Sequence, residues 1–454
     1  MNIDLDLIKK YNRPGPRYTS YPTAPHFSTD VRLADWQTAI DKNNIHGTKD
    51  LSLYFHLPFC DTLCWFCGCT MMVTRNRESI DEYLNFLSKE IELSQEAIHS
   101  GRKVVQLHYG GGTPTHLSPD QIRHLGSKIH QAFTISDDAE IGCEMDPREL
   151  TREHIIALRE TGFNRASIGV QDFNPVVQKA VNRINPPEMV RDVVSWICEE
   201  GFSSLNLDMI YGLPHQTTKT FSKTLDLILA LEPDRLAVFN YAHVPWIKPH
   251  QKLINERDLP SPEEKMSMLK LIIERLTSSG YVYIGMDHFA RQDDELTMAQ
   301  IEKTLQRNFQ GYSTRAKTDI YALGLSSISQ VDGMYAQNFK ELPHYYQQLT
   351  DGKLPYEKGV KLTADDQVRR EVIMRLMCDM ELDYPKMSKI IEMDFEKYFG
   401  NTLSALSEFE EDGLISQSLQ GFTVTDTGRL FIRNIAMIFD TYVGTSNLRY
   451  SKTV

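Results

Sequence analysis

The chain has 454 residues, 41% of them hydrophobic and 24% charged, so it can bury substantial cores and form one large domain or two ordinary ones. This composition excludes a disordered or fibrous chain. Lys and Arg total 49 against 61 Asp and Glu, a formal net charge of −12, which gives no general attraction to nucleic acid or anionic lipid. We therefore expect neither nucleic acid nor a membrane as a partner.

Two further features predict a cytoplasmic protein. No run reaches 18 apolar residues, and the opening MNIDLDLIKKYNRPGPRYTS is too polar and too acidic for a signal or transit peptide. The chain has seven cysteines, an odd number, and four of them fall within ten residues. Such a pattern is no disulfide framework in a reducing compartment, and it favours metal or redox chemistry. The four clustered cysteines are Cys60, Cys64, Cys67 and Cys69.

Short apolar runs that favour strands alternate with amphipathic stretches through the first half of the chain. Strand followed by helix, repeated along the chain, predicts parallel βα units, hence an α/β fold that is either a barrel or an open doubly wound sheet. The predicted strands are 51–57, 104–109, 140–145, 164–170, 204–211 and 235–241, and the predicted helices are 79–99, 119–133, 151–161, 187–200 and 218–231.

The residues after these strands distinguish the two architectures. Five of the six runs end in reactive or glycine-rich sequence, whereas a doubly wound sheet concentrates its chemistry at one switch point. Several reactive strand ends therefore favour a barrel, complete or partial. The five segments are PFCDTLCWFCGC, GGGTPT, DPRE, QDFN and YGLP.

The pattern changes beyond about residue 250. The expected order ends as helix, hairpin and helix, like a small winged-helix domain, but the acidic stretch EFEED argues against nucleic-acid binding and favours a packing domain or a substrate lid. We divide the chain into an N-terminal arm over the active site (1–50), a catalytic domain (51–355) and a mainly helical C-terminal domain (356–454). The later elements are a helix at 260–279, a strand at 281–290, a loop at 308–314, helical sequence from 361, a hairpin through 421–424 and a last helix at 427–439.

Cys60, Cys64 and Cys67 lie on one short loop directly after the first strand. Thiolates are soft ligands that suit iron–sulfur clusters or zinc. Structural zinc usually draws on two separated cysteine pairs, and no second pair exists here. Three cysteines could instead hold three irons of a cubane cluster and leave the fourth iron open for chemistry. Cys69 lies two residues after Cys67, where neighbouring side chains point apart, so we predict that it is not a ligand.

Residues 54–67 (YFHLPFCDTLCWFC) resemble the signature of radical S-adenosylmethionine (SAM) enzymes. This resemblance implies a [4Fe–4S] cluster, SAM bound to its open iron, and a full or partial βα barrel. The run GGGTPT at 110–115 resembles the glycine-rich SAM site of these enzymes, with Thr113 at the position of a more usual Glu. Because glycine has no Cβ, we expect this run to let the backbone approach a ligand closely.

Three more segments resemble the family of oxygen-independent coproporphyrinogen III oxidases: GPRYTSYPTA at 15–24, CGC at 67–69 and RNFQGY at 307–312. The likeness covers nearly the whole chain and implies a partial (β/α)6 TIM-like barrel. It also implies haem biosynthesis: the ring A and B propionates of coproporphyrinogen III become vinyl groups, giving protoporphyrinogen IX. One SAM is consumed per propionate, through a 5′-deoxyadenosyl radical. The enzyme would be a monomer that needs an electron donor and an acceptor, neither of which the sequence identifies.

The resemblance also assigns roles to residues. Cys60, Cys64 and Cys67 would ligate the cluster and carry the catalysis. The residues that would line the SAM on the open iron are Tyr54, Gly111, Glu144 and Ile328. Those that would line a second SAM are Phe66, Gly112, Thr113, Gln171, Arg183, Asp208 and Ala242.

Other interpretations remain open. Glu144 and Arg183 could form an ordinary salt bridge, and Gln171 could cap a helix. A haem chaperone of the same superfamily, a haem-degrading radical methylase and a zinc-stabilised binding module are alternative functions. For the substrate carboxylates, the candidate cations are Arg13 and Arg17, and the candidate aromatic lid is Tyr18 and Tyr21.

Overall fold

A twelve-stranded mixed sheet organises this computed structural model, which describes residues 5–45, 50–444 and 450–453. The strands are β1 (Leu51–Leu57), β2 (Phe59–Cys60), β3 (Met72–Val73), β4 (Lys103–Gly111), β5 (Thr134–Met145), β6 (Arg165–Gln171), β7 (Ser204–Tyr211), β8 (Arg235–Asn240), β9 (Tyr281–Gly285), β10 (His288–Arg291), β11 (Gln306–Asn308), β12 (Gly311–Ser313), β13 (Asp319–Leu323), β14 (Ile328–Val331), β15 (Met334–Asn338), β16 (Tyr356–Lys361), β17 (Glu381–Asp383), β18 (Ile415–Ser418) and β19 (Gly421–Val424).

The helices cover the sheet and fill the two ends of the chain. They are α1 (Leu5–Tyr11), α2 (Leu33–Ile45), α3 (Arg77–Ala97), α4 (Pro119–Ala132), α5 (Arg152–Glu160), α6 (Pro175–Ala180), α7 (Pro187–Glu199), α8 (Thr218–Leu229), α9 (Pro262–Ser278), α10 (Glu295–Ile301), α11 (Leu342–Thr350), α12 (Ala364–Asp379), α13 (Tyr384–Ile391), α14 (Phe395–Leu403), α15 (Leu406–Glu411) and α16 (Ile432–Ala436). None of those described is long and apolar enough to cross a membrane.

The six predicted βα strands are confirmed. β1, β4, β5, β6, β7 and β8 pair in parallel in that order, with the predicted helices between them. β1 is buried along almost its whole length, as expected for a parallel strand covered on both faces. β13 also pairs in parallel with β1. Antiparallel strands extend the sheet to its two ends at β16 and β9, so the parallel strands form a partial barrel with added strands.

Local sequence explains where the connecting helices begin. At α4, the Ser118 hydroxyl accepts from the Gln121 N–H at 3.3 Å, and the Gln121 side chain accepts from the Ser118 N–H at 2.8 Å. Pro119 occupies the first helical position, where its missing N–H is not needed. Ile122, Leu125 and Ile129, spaced three and four apart, give α4 one buried face against the sheet.

Several later predictions are wrong in detail. The predicted strand at 281–290 is a hairpin of β9 and β10, because Met286 adopts a positive φ of 55° and turns the chain. The predicted loop at 308–314 contains part of the hairpin of β11 and β12, which turns at Gly311 (φ 116°). The predicted last helix at 427–439 is α16 flanked by two 3-10 turns. The strands β13–β16, which extend the sheet beyond β1, were not predicted.

The C-terminal region is mainly helical, with a small antiparallel sheet in the order β17, β19, β18. The expected domain boundary at 355/356 lies directly before β16, which pairs with β15 in the large sheet. The N-terminal arm packs on the C-terminal region: the Tyr11 ring stacks on Phe409 with 5.3 Å between centroids. One hydrophobic core therefore runs from the arm through the barrel into the C-terminal region.

Candidate active site

The cysteine loop lies directly after β1, and the two short strands that flank it pair with each other. β2 pairs in parallel with β3, so residues 61–71 form a loop that starts directly after Cys60, at the carboxyl end of the first barrel strand. The Thr74 N–H donates to the Cys60 carbonyl at 3.0 Å and fixes the base of the loop. Cys64 is buried, Cys60 and Cys67 are partly exposed, and Cys69 is exposed. The cysteines thus lie at the strand end where the sequence predicted them.

Side chains from two distant segments hold the carbonyl groups of this loop. Asn182 donates its amide to the Leu63 carbonyl at 2.8 Å. His250 and Lys248 donate to the carbonyls of Cys67 and Cys69, each at 2.8 Å. Sequence reasoning missed these contacts, because nothing in their spacing places residues 182, 248 and 250 beside residues 63–69.

Each predicted ligand sulfur receives a hydrogen bond. The Thr113 hydroxyl donates to Cys60 Sγ at 3.3 Å, and the backbone N–H of Cys69 donates to Cys67 Sγ at 3.4 Å. Two guanidinium groups reach Cys64 Sγ: Arg148 at 3.3 Å and Arg183 at 3.5 Å. Such donors stabilise thiolate, the form in which cysteine binds metal. The chemistry of this donor set fits an iron–sulfur cluster.

The thiols of the clustered cysteines differ in acidity. Burial raises the pKa of Cys60 to about 12, although the Thr113 hydroxyl opposes the shift. A hydrogen bond from the Cys69 side chain lowers the pKa of Cys67 to about 6 against the effect of burial. The same contact raises the pKa of Cys69. Cys69 therefore acts here as a neighbour that donates to a predicted ligand.

Arg183 and Arg148 are anchored by one carboxylate. Asp146 Oδ2 lies 2.8 Å from Arg183 Nη1 and 2.6 Å from Arg148 Nη2, with all three side chains largely buried. Burial alone would raise the pKa of Asp146, but the two guanidinium groups bring it below its ordinary value. The alternative of an Arg183–Glu144 salt bridge is wrong, since Arg183 pairs with Asp146. Buried Arg183 Nε has no partner within the described residues.

Gln171 lies at the end of β6 with a positive φ of 67° and is not a helix cap. A Cβ at Gly169 would lie 2.7 Å from Gln171 Nε2 and 2.9 Å from Arg183 Nη2. Glycine at 169 is therefore what lets both side chains cross the end of β6, where Arg183 also donates to the Gly169 carbonyl at 2.5 Å. The structure thus brings together Gln171, Arg183 and the Cys64 sulfur.

Tyr54, Gly111 and Glu144 lie on three neighbouring strands and meet at one point. Glu144 accepts from the Gly111 N–H at 3.1 Å and lies 3.4 Å from His108 Nε2. The Tyr54 ring stacks on His108 with 6.1 Å between centroids. Burial would raise the pKa of Glu144, but His108 and the Gly111 N–H outweigh it and hold this pKa below its ordinary value. Glu144 is therefore a carboxylate at neutral pH.

The glycine run serves packing more directly than the sequence suggested. A Cβ at Gly111 would lie 2.7 Å from the His56 ring, and one at Gly112 would lie 2.6 Å from the Pro58 carbonyl carbon. These glycines bring the end of β4 against the cysteine loop, where the Thr113 N–H donates to the Phe59 carbonyl at 2.8 Å. The glycine run was expected to approach a ligand closely, and the atoms that it approaches in this structure are protein atoms.

Asp208 shares a chamber of about 200 Å³ with Glu144 inside the barrel. It accepts from Ser167 at 3.0 Å and from Asn206 at 2.8 Å. Burial, reinforced by the charge of Glu144, raises the pKa of Asp208 to about 6. The pKa of Asp208 is thus raised and that of Glu144 lowered, although both carboxylates face one chamber.

The remaining predicted residues are more dispersed. Phe66 packs in a small apolar cluster with Tyr241. Ala242, the next residue after Tyr241, lines a larger cavity. Ile328 lies on β14, two strands from β1, in a cluster with Phe27.

A cavity of about 580 Å³ lies between the carboxyl ends of β7 and β8, the N-terminal arm and the C-terminal region. Arg17 lines it and pairs with Asp287, whereas Arg13 is exposed. The rings of Tyr18 and Tyr21, each 2% exposed, are packed into the core, and their hydroxyl groups bond to Asp440 and Thr441. These two rings therefore brace the arm and do not form an aromatic lid over the cavity.

Two protein-family models match separate parts of the chain. The model of the Radical SAM superfamily matches residues 54–228, and that of the HemN C-terminal domain matches residues 362–431. An oxygen-independent coproporphyrinogen III oxidase from Helicobacter pylori strain J99 is 45% identical, covering 100% of this chain and 99% of that relative. The namesake from Escherichia coli K12 is 48% identical, covering 97% and 95%. The chain belongs to the oxygen-independent coproporphyrinogen III oxidase family.

A solved structure supports this membership. The chain is similar to the coproporphyrinogen III oxidase from Escherichia coli, described as a radical SAM enzyme, with a TM-score of 0.93 and 46% identity over 97% of this chain and 99% of that one. The predicted family and the radical SAM fold are confirmed. Radical SAM enzymes use a [4Fe–4S] cluster and SAM, which argues against the zinc-stabilised module. The full-length match to named oxidases favours the oxidase family over the haem chaperone.

Proposed function

We propose that this chain oxidatively decarboxylates the ring A and ring B propionates of coproporphyrinogen III to vinyl groups, giving protoporphyrinogen IX. The observation that carries the proposal is the cysteine loop at the end of β1, with hydrogen-bond donors to all three sulfurs, beside the carboxylate of Glu144. Full-length identity of 45% to named oxidases supports the choice of substrate.

Cys60, Cys64 and Cys67 hold the [4Fe–4S] cluster in this proposal, and Cys69 stays outside the ligand set. A cluster held by these residues would supply the electron that cleaves SAM into methionine and a 5′-deoxyadenosyl radical, and that radical would take hydrogen from the propionate β-carbon. The loss of CO2 and one electron then leaves the alkene, so an external donor and an external acceptor are required.

Two SAM molecules are proposed. Tyr54, Gly111, Glu144 and Ile328 would line the one that binds the cluster. Glu144 supports this role, since a partly exposed carboxylate that stays ionised can pair with the SAM ammonium group. The second would be lined by Phe66, Gly112, Thr113, Gln171, Arg183, Asp208 and Ala242. Arg183, with a buried Nε that lacks a described partner, suits a carboxylate there.

The chain's own residues supply orientation and a site shielded from water. Arg148 and Arg183 place positive charge at the Cys64 sulfur, and Asp146 holds both in position. Asp208 can carry a proton near pH 6, while Glu144 stays ionised. We also propose the arm (1–50), catalytic (51–355) and C-terminal (356–454) division and action as a cytoplasmic monomer.

Anaerobic turnover tests this function. The purified chain, reconstituted with iron and sulfide, is given coproporphyrinogen III, SAM and a reductant. CO2, 5′-deoxyadenosine and the vinyl product are then scored together. Cys64→Ser should abolish all three. Cys198→Ser, which alters an exposed cysteine on α7, should leave them unchanged. Full turnover by the Cys64 variant would remove the cluster from the proposal.

A further inference from the structure

The cavity of about 580 Å³ has the opposite charge to the chain as a whole. Five cationic side chains line it against a single carboxylate, Asp287, within the described residues, although the chain carries a net charge of −12. These cations come from the arm, α9 and the C-terminal region, so folding has gathered them from distant parts of the sequence. They are Arg17, Lys265, Arg429, Arg433 and Lys452.

The cations differ in how many hydrogen bonds and ion pairs they already make within the protein. Arg433 donates to the carbonyls of Gly15 and Pro16, so it serves the fold. Arg17 pairs with Asp287. Arg429 uses one nitrogen on the Tyr283 carbonyl at 3.1 Å and has no ion pair in the part of the chain that the structure describes.

Lys265 is the cation most available to a ligand. It lies on α9 and lines the cavity, and no carboxylate pairs with it among the described residues. Burial lowers the pKa of Lys265, and the charge of Lys452 adds to this effect. A desolvated ammonium group without a counter-ion is stabilised when an anion enters beside it.

The other walls of the cavity are apolar. Tyr241, Met266 and Leu430 contribute to them, and Trp246 is 54% exposed at the same cavity. A ligand that complements both the cationic side chains and the apolar walls has a large apolar body and at least two anionic groups. A porphyrinogen with propionate side chains has this chemistry.

The cavity is displaced from the proposed cluster site. Its described lining includes Ala242, at the end of β8, but none of the three cysteines, the glycine run or Glu144. The reacting propionate must approach the SAM held by those groups, and its carboxylate must leave as neutral CO2. A firm pair with a guanidinium or ammonium group would oppose that loss, whereas propionates that survive the reaction can be held throughout.

We propose that Lys265 and Arg429 bind the carboxylates of the propionates that the reaction leaves intact. This inference rests on the proposed function for the identity of the substrate. It assigns the cavity the task of anchoring the macrocycle, so that the reacting side chain faces the cluster.

Equilibrium binding of two porphyrins to the reconstituted enzyme tests the inference without turnover. Coproporphyrin III carries four carboxylates, and protoporphyrin IX carries only the two that survive. Fluorescence titration in one detergent buffer should give a Kd about tenfold higher for Lys265→Gln and for Arg429→Gln, with both porphyrins, since a charge-assisted bond is lost. The loss should shrink as salt is added. Lys270→Gln removes an exposed charge from the same helix and should bind like the unaltered chain.

Each other result contradicts the inference. Unchanged binding by both variants would show that the cavity does not hold the macrocycle. A loss confined to coproporphyrin III would mean that these cations hold the reacting propionates instead. Lys265→Gln is the decisive variant because it removes no intramolecular ion pair among the described residues, and its far-ultraviolet spectrum checks the fold. If the unaltered chain fails to convert coproporphyrinogen III, the proposed function fails while the binding result still stands.

Discussion

The hydroxyl group of Thr113 donates a hydrogen bond to the sulfur of Cys60 over 3.3 Å. Thr113 also fixes the loop through its backbone N–H, which donates to the Phe59 carbonyl at 2.8 Å. The residue that follows the glycine run thus binds β2, at the start of the cysteine loop, twice. Since reduction adds negative charge to a cluster, a donor at a ligand sulfur stabilises the reduced state more than the oxidised one.

Thr113→Val should therefore lower the reduction potential of the cluster. Valine keeps the shape of threonine and removes the donor. A hydrogen bond of about 1 kcal/mol corresponds to about 40 mV for a one-electron couple. An anaerobic redox titration followed by electron paramagnetic resonance measures the shift. Thr113→Ser retains a hydroxyl group and should keep the original potential. Equal potentials for Val and Thr at this position would show that the contact is absent in the loaded enzyme.

Glu144→Gln should weaken SAM binding while the cluster still assembles. The substitution removes the charge that would pair with the SAM ammonium group, and the side chain that it alters bonds to His108 and the Gly111 N–H rather than to a predicted cluster ligand. Loss of a charge-assisted bond of about 1.5 to 3 kcal/mol predicts a KM for SAM higher by about tenfold to a hundredfold. Activity assays over a range of SAM concentrations measure this change.

The control for this prediction is Glu96→Gln, which removes an exposed carboxylate from α3. It should leave the KM for SAM unchanged. Cluster content, read from iron analysis and visible absorption, should match the unaltered chain in both variants. An unaltered KM in the Glu144 variant would place the ammonium group elsewhere.

The parallel core was predictable because its sequence signals are local. Each buried strand is a short apolar run bounded by a turn, and β1 and β7 begin and end at the predicted residues. The cysteine loop was predictable because cluster ligands must be close in space, and here they are close in sequence too. In this loop, residues that share one chemical role are also neighbours in the sequence.

The remainder depends on tertiary contacts that leave no local pattern. The residues of β13 are all buried, so no alternation of polar and apolar residues marks the strand. The Asp146–Arg183 pair joins the end of β5 to the segment after α6, a contact across 37 positions. The burial of Tyr18 and Tyr21 depends on a C-terminal region more than 400 residues away. Such pairings follow from the fold and cannot be read from spacing.

Glu90 is a buried carboxyl group that ties α3 to the added antiparallel strands. It is 2% exposed and accepts from Tyr345 at 2.5 Å, Asn338 at 2.7 Å and the Gly324 N–H at 2.8 Å. Burial raises the pKa of Glu90 to about 7, although these donors oppose the shift. The folded chain therefore binds a proton here that the unfolded chain, with a pKa near 4.5, releases.

The free energy of unfolding should reflect this proton. Between pH 5 and pH 8, ionisation of Glu90 should destabilise the fold by about 2 to 3 kcal/mol, because the folded state must give up its proton over that interval. Glu90→Gln removes the group that titrates. Between the two pH values, the free energy of unfolding of this variant should therefore fall by that much less than the free energy of unfolding of the unaltered chain. Anaerobic urea unfolding at the two pH values measures the difference. Glu92→Gln, at an exposed position on the same helix, should show no such difference.

The N-terminal arm should depend on Arg433, whose side chain is buried and donates to the carbonyls of Gly15, Pro16, Lys452 and Thr453. Arg433→Met leaves these acceptors without their donor, at a cost of about 3 kcal/mol to the local packing. Chymotrypsin should then cut faster after Tyr18, which is buried in the unaltered chain, and mass spectrometry locates the cut. Lys389→Met, at an exposed position on α13, should be cut at the original rate. Equal rates for all three chains would show that the hydrogen bonds of Arg433 are not needed to hold the arm.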